Sequence, residues 1–408
     1  MQILKKVTFI TTGQPTTNPR LVKEAELLKA LGYDVHVIYC FYQAWAEKYD
    51  LEIVSRNPGM YTICGGHPEN DKLHYFKTRL RQKICSIIFK FINWPGIAEN
   101  AINRTYEEAK SVARLQRSGL YIAHNLGALP VAVIAAGHNK AKVGYDAEDM
   151  HSGQFISEQD DGYRLNKYIE EKYFTKIDYF TAASPLIAEN YKNVYRYLEP
   201  TVINNVFPKT GKVIVRNPDE SAPLKLFWFS QTVGPDRGLE QVIEAIGLSK
   251  RYILFELLGH CSATYLAYIK DFAKNKGLGE DQLKIHKAVS PEGILKIAAG
   301  FDIGMASETG SPLNRDICLT NKIFTYLQCG LCILASDTRA QTLFLEQYPL
   351  SGQLYNKNDP RTLATLLSMY DKDRYLLFQT KKFNYALGQD KLNWEHESLQ
   401  FIKLIENV

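Results

Sequence analysis

Several short stretches of the chain hold residues whose types and spacing could do chemistry. The first is TTGQPTTNPR, a polar turn between a β-rich run and a helical run. Gly13 lets the backbone come close to a ligand, and the helix N-terminus behind it attracts anions. Asn18, Pro19 and Arg20 lead into that helix. The same residues also make an ordinary connection, with Asn18 as cap and Pro19 in the first turn. No G-x-G-x-x-G is present, so a dinucleotide fingerprint is not supported. In YIAHNLGALPV, His124 and Asn125 stand where a strand gives way to a helix. A histidine there orients a hydroxyl or moves a proton, or it is a hydrogen-bonded structural residue. KVGYDAEDMHSGQF places Asp146, Glu148 and Asp149 after a strand, with His151 close behind. Such a set invites a metal reading. No second ligand cluster stands out elsewhere, and an acidic cap before a helix is the commoner use. No metal is therefore expected.

The later stretches favour anions. In WFSQTVGPDRGLEQVIEAI a strand ends, a Gly/Pro turn follows, and Arg237-Gly238 opens a helix. A basic side chain beside free helix N–H groups makes a phosphate site; a surface arginine in a turn fits the same spacing. In SETGSPLNRDICLTNKIFTYLQCG, Glu308 follows a buried-type strand. Thr320 is the expected N-cap, so Asn321 and Lys322 lie in the first helical turn. A lysine there faces the positive end of the helix dipole. It makes sense beside an anion, or as a side chain that snorkels to water. Between Lys72 and Ala98 there is no acidic residue. Lys77, Arg79, Arg81 and Lys83 alternate there with Phe76, Ile84, Ile87 and further aromatic residues to Trp94. That pattern fits an element lying on an anionic membrane surface. It also fits a core helix with a basic outer face.

These residues need a scaffold to position them. KKVTFITT, RLVKEAELLKALG and YDVHVIYC read as strand, helix and strand, with Leu21, Ala25, Leu28 and Leu31 at helical spacing. The pattern recurs near Asp146, Thr181 and Val202, and implies a parallel sheet covered by helices. A polar, proline-rich stretch, PKTGKVIVRNPDESAP, reads as a linker. After it LKLFWFS, YILFELLG, LKIHKAV, FDIGMAS and LCILASD alternate with helices, and helices are then expected to the end. Two tandem Rossmann-like α/β domains follow from this, facing a central cleft. The expected boundaries are 1–206, 207–385 and a final helix at 386–408.

Composition agrees. The chain has 408 residues, 45% hydrophobic and 23% charged, an ordinary globular balance that exceeds the size of one core. Lys plus Arg is 49 against 44 acids, and a net charge of +5 is too small for a dedicated nucleic-acid binder. Seven scattered cysteines without a C-x-x-C pair indicate reduced thiols. The first residues do not read as a signal peptide, and no apolar run reaches the length of a membrane span. A cytoplasmic location follows as the expectation.

Taken in order, TTGQPTTNPRLVKEAELLKALGYDVHVIY, DAEDMH, GPDRGLEQVIEAI, TNKIFTYLQCGLCILASD and LNWEHESLQFIKLIENV resemble segments of the glycosyltransferase family 4 group. The resemblance covers nearly the whole chain. It implies the glycosyltransferase-B fold, with the last helix crossing back to the first domain. It implies transfer of a sugar from a nucleotide-diphosphate-sugar to a glycan or lipid-linked acceptor, with retained anomeric configuration and no cofactor or metal. His124 and Glu308 match the family's residues near the donor sugar and are the catalytic candidates. Gly13, Arg237 and Lys322 would meet the diphosphate, and Asn321 and Thr325 the ribose and nucleotide. Arg20, Asn125 and Asp149 would line the first domain's side of the cleft. Two departures stand out. Thr325 replaces the family's second glutamate, at the end of a longer segment after Glu308. Ser230 and Gln231 stand where the family carries an arginine after its first donor-domain strand. A non-catalytic nucleotide-sugar-binding partner protein is the alternative these departures raise. Docking at the inner face of a membrane is a separate expectation.

Overall fold

The computed structural model describes residues 6–408 apart from 93, 212, 214, 216 and 218. The linker expected over 208–223 therefore lies partly outside the described residues, as does the lysine that begins KKVTFITT. The chain divides into two compact units: Met1–Asn204 with Gln400–Val408, and Asn205–Leu399.

The first unit is built on β1 (Lys6–Thr11), β2 (Asp34–Cys40), β3 (Tyr61–Cys64), β4 (Leu120–His124), β5 (Lys142–Ala147), β6 (Tyr179–Ala182) and β7 (Pro200–Val202). They form one sheet in the order β3-β2-β1-β4-β5-β6-β7, every pair parallel. Helices cover parallel sheets on both faces, so inner strands are apolar throughout rather than alternating. All five residues of β4 are buried accordingly. The first crossover is the helix Pro19–Ala30. Asn18 caps it by accepting the Leu21 N–H, Pro19 opens it, and Leu21, Ala25 and Leu28 face the core.

The second unit repeats the plan with β8 (Leu224–Val233), β9 (Ile253–Cys261), β10 (Leu283–His286), β11 (Ile303–Ala306), β12 (Cys332–Ser336) and β13 (Gly352–Tyr355). The order is β10-β9-β8-β11-β12-β13, again parallel. Leu226, Trp228, Leu257, Ile303, Met305 and Leu334 are among the residues of its core. One expectation fails here. The chain after LCILASD is not all helical, because Gly352–Tyr355 adds β13 at the sheet edge. Only its two end residues are fully buried, so no apolar run announces it.

In each sheet the winding reverses once, between β1 and β4 and between β8 and β11. Open parallel sheets take ligands beyond the carboxyl ends of strands at such a reversal. Each unit therefore has one place where a site is expected from topology alone.

Candidate functional site

In the first unit, the reversal is held by side chains of the two strand ends. Asn125 Oδ1 accepts from the Thr12 hydroxyl at 2.8 Å, and its Nδ2 donates to Thr11 Oγ1 at 3.0 Å. Its backbone sits at φ 71° and ψ 158°, a region that is nearly glycine-only and costs about 1–3 kcal/mol. Strain of that kind marks a place where the surrounding structure dictates the backbone. Gly13 lies in the adjoining turn, where its carbonyl accepts from Cys40 N at 3.1 Å. A Cβ on Gly13 would stand 3.0 Å from the Thr17 hydroxyl.

Beneath this turn lies a buried charge network. The Arg20 guanidinium donates to both oxygens of Asp146, at 2.8 and 2.7 Å, and also to the Ile203 carbonyl. One turn along the same helix, Glu24 stands 3.4 Å from Arg20 and 3.0 Å from His124 Nε2. His124 Nδ1 faces Asp146 at 3.3 Å and Glu148 at 3.6 Å. Burial works against a charge on His124, but the carboxylates of Glu24 and Asp146 outweigh it and raise its pKa to about 10. Burial likewise opposes the Asp146 carboxylate, yet Arg20 and His124 hold its pKa below the usual range. Burial raises Glu24.

Glu24, His124 and Asp146 bring potential ligand atoms within 4.8 Å of one another. Arg20, permanently charged and bonded to both oxygens of Asp146, already supplies a cation there. His151 lies apart from the network. Its Nε2 accepts the Leu126 N–H at 3.2 Å, which needs the unprotonated nitrogen, and burial pushes its pKa down. Asp149 is half-buried, with Gln154 Nε2 at 3.3 Å from its carboxylate.

In the second unit, the turn after β8 and the loop after β11 converge. Gly238 has φ 70°, and a Cβ there would lie 3.3 Å from the Cβ of Ser307. The Glu308 N–H donates to Ser336 Oγ at 2.9 Å, which fixes the start of the loop. Thr320 caps the helix Asn321–Cys329. Lys322, in the first turn, is buried and points its ammonium at Glu308 Oε1, 2.8 Å away, with Thr320 Oγ1 at 3.3 Å and the Trp228 ring beneath it. The anion beside this lysine is thus Glu308. Arg237 is half-buried in the turn. Among the described residues its guanidinium has no hydrogen bond and no ion pair. Burial and the neighbouring Arg315 push its pKa down, while Glu308 and Asp236 oppose them. Asn321 is half-buried. Thr325 is buried and donates its hydroxyl to the Asn321 carbonyl at 3.3 Å.

The basic stretch forms the helix Lys72–Phe89. Thr78 and Cys85 are buried on it. Leu73, Phe76, Leu80, Ile84 and Ile87 are exposed at helical spacing, and Phe91 and Trp94 beyond its end are exposed too. Lys77, Arg79 and Lys83 are exposed with them. Arg81 turns away, donating to Glu108 Oε1 at 3.0 Å and the Arg104 carbonyl at 2.8 Å. Among the described residues, no helix is long and apolar enough to cross a membrane.

The sequence reading missed Glu24 and Arg315. Glu24 shares the helix face of Leu21, Ala25 and Leu28 and follows Arg20 by one turn, which is a legible sign of a buried pair. Arg315 had only the unusual length of its loop to mark it.

No family model matches the sequence, and no curated protein matches it. Likeness to solved structures is extensive. HepE of Anabaena, crystallised in complex with UDP and glucose, is 15% identical with a TM-score of 0.71, covering 99% of this chain and 100% of that one. Sucrose-phosphate synthase from Thermosynechococcus elongatus is 14% identical with a TM-score of 0.69, covering 99% and 98%. WaaG, a glycosyltransferase involved in lipopolysaccharide biosynthesis, is 11% identical with a TM-score of 0.64, covering 97% and 99%. The chain has the two-domain α/β glycosyltransferase-B fold. Its last helix, Trp394–Glu406, ends in residues that group with the first unit.

Proposed function

We propose that the protein is a retaining, metal-independent glycosyltransferase of the family 4 type. It takes a sugar from a nucleoside-diphosphate-sugar and passes it to a glycan or lipid-linked acceptor. The observation that carries this reading is Arg237: a half-buried cation with no ion pair among the described residues, at the reversal of the second sheet, near Glu308 and the Lys322 that pairs with it. HepE has also been crystallised with UDP-glucose, on the same fold at 13% identity.

The bond between the anomeric carbon and the phosphate oxygen breaks, and a bond to the acceptor hydroxyl forms on the same face. The acceptor hydroxyl gives its proton to the leaving diphosphate oxygen, on which negative charge develops as the anomeric bond breaks. Cations held in place before the reaction stabilise that charge without reorganisation, which is the work given to Arg237 and Lys322. Asn321 and Thr325 are assigned to the nucleotide, and Glu308 to the neighbourhood of the donor sugar. The carboxylates of Glu24 and Asp146 raise the pKa of His124 to about 10, which favours its charged form. Its two nitrogens face Glu24 and Asp146, so its role in this reading is to hold the groups at the end of β4 in place.

The exposed apolar stripe and the cations beside it are the proposed contact with an anionic membrane surface, on the cytoplasmic side. Each such cation contributes about 1 kcal/mol near an anionic surface.

Turnover of a panel of nucleotide-sugars, followed by release of nucleoside diphosphate, tests the enzyme. Arg237→Ala and Lys322→Ala should each lower turnover about tenfold or more; near-normal turnover in both sinks the phosphate assignment. The alternative of an inert nucleotide-sugar-binding partner is favoured by one observation: the Thr325 hydroxyl is already committed to its own helix. Steady release of nucleoside diphosphate by the purified protein would exclude it.

A further inference from the structure

Arg315 is carried by the loop between Glu308 and Thr320, on the short helix Leu313–Ile317. That loop is pinned. Asp316 accepts from the backbone N–H of Arg339 at 3.0 Å and pairs with its side chain. From there Arg315 reaches the turn after β8 and donates through Nη1 to the carbonyl of Asp236, the residue before Arg237. Two guanidinium groups therefore share one turn. Glu308, a buried carboxylate that acts on Arg237, is already matched by Lys322. The remaining acid in the turn, Asp236, is exposed. Holding two like charges together without an anion between them is unfavourable. A bound dianion removes that cost.

We propose that Arg315 is the second guanidinium of the diphosphate site, closing on the same pair of phosphates as Arg237. This rests on the glycosyltransferase reading above and deepens it. A guanidinium presents five N–H donors in a planar fork that matches phosphate oxygens two at a time. The bond to Asp236 uses one of Arg315's donors and leaves the others for a ligand. The long loop after Glu308 thus delivers a cation to the end of β8, where Ser230 and Gln231 are uncharged. The ligand chemistry is a nucleoside diphosphate or the diphosphate of a nucleotide-sugar. A monophosphate reaches only one phosphate position and leaves one guanidinium unmatched.

Calorimetric titration of the full chain with UDP, GDP and ADP, and then with the monophosphate of whichever base binds tightest, separates the possibilities. Arg315→Ala should weaken the diphosphate about tenfold or more and leave the monophosphate nearly unchanged. Arg315→Lys should recover part of the loss. A loop merely displaced by the substitution would weaken both nucleotides alike, and that result overturns the proposal. So does unchanged diphosphate affinity in Arg315→Ala when Arg237→Ala is weakened. Absence of binding of all three diphosphates to the unaltered protein contradicts the glycosyltransferase reading itself, and the role of Arg315 with it.

Discussion

The carboxylates around His124 raise its pKa, and this sets a pH dependence. Its folded pKa, about 10, lies above the unfolded value of a histidine. The stability it contributes is complete below the unfolded pKa of about 6.5 and is lost as pH rises through the folded value. Comparing the melting temperatures of the wild type and His124→Gln across pH 6 to about 10 should show a gap that narrows as pH rises. A gap independent of pH would mean that His124 is neutral in the fold. The chemistry at this scale was only partly legible. Arg237 and Lys322 stood out as candidates because a cation at a helix start is locally unfavourable unless an anion lies near. The network around His124 was not, since it joins residues from a helix and two strands that only the sheet order brings together. Arg20 and Asp146 lie 126 positions apart in the chain and meet through two hydrogen bonds. Local pattern is blind to such pairs.

The helix Lys72–Phe89 raises a different question, since its exposed apolar stripe costs solubility unless something covers it. Flotation with vesicles rich in anionic lipid tests the membrane assignment. Replacing Lys77, Arg79 and Lys83 together by Gln should cut vesicle binding by about a hundredfold while leaving the melting temperature unchanged. Arg81→Gln should do the reverse, because Arg81 holds Glu108 rather than facing outward. Binding that ignores lipid charge would remove the assignment. The sequence placed all four cations in one stretch but could not assign their faces, because the helix carries apolar residues both inward and outward. The edge strand β13 escaped for a related reason. A four-residue strand with only its ends fully buried carries little periodic signal.

At the scale of the whole molecule, the two-sheet plan was readable from alternating strand and helix patterns, because strands buried on both faces are apolar throughout. The repeat of one winding in both units gives each a single reversal point, and the candidate residues fall at those two points. Gly13, His124 and Asn125 belong to the first; Arg237, Glu308 and Lys322 belong to the second. The central claim is that the second point binds a nucleoside diphosphate. Thermal unfolding of the full chain with UDP, GDP and ADP tests it most directly. At about one hundred times its dissociation constant, the right ligand should add roughly 2.7 kcal/mol of apparent stability. The stabilisation should be largely lost in Arg237→Ala at the same concentration. A stabilisation that survives Arg237→Ala undiminished, or none with any of the three, would contradict the account.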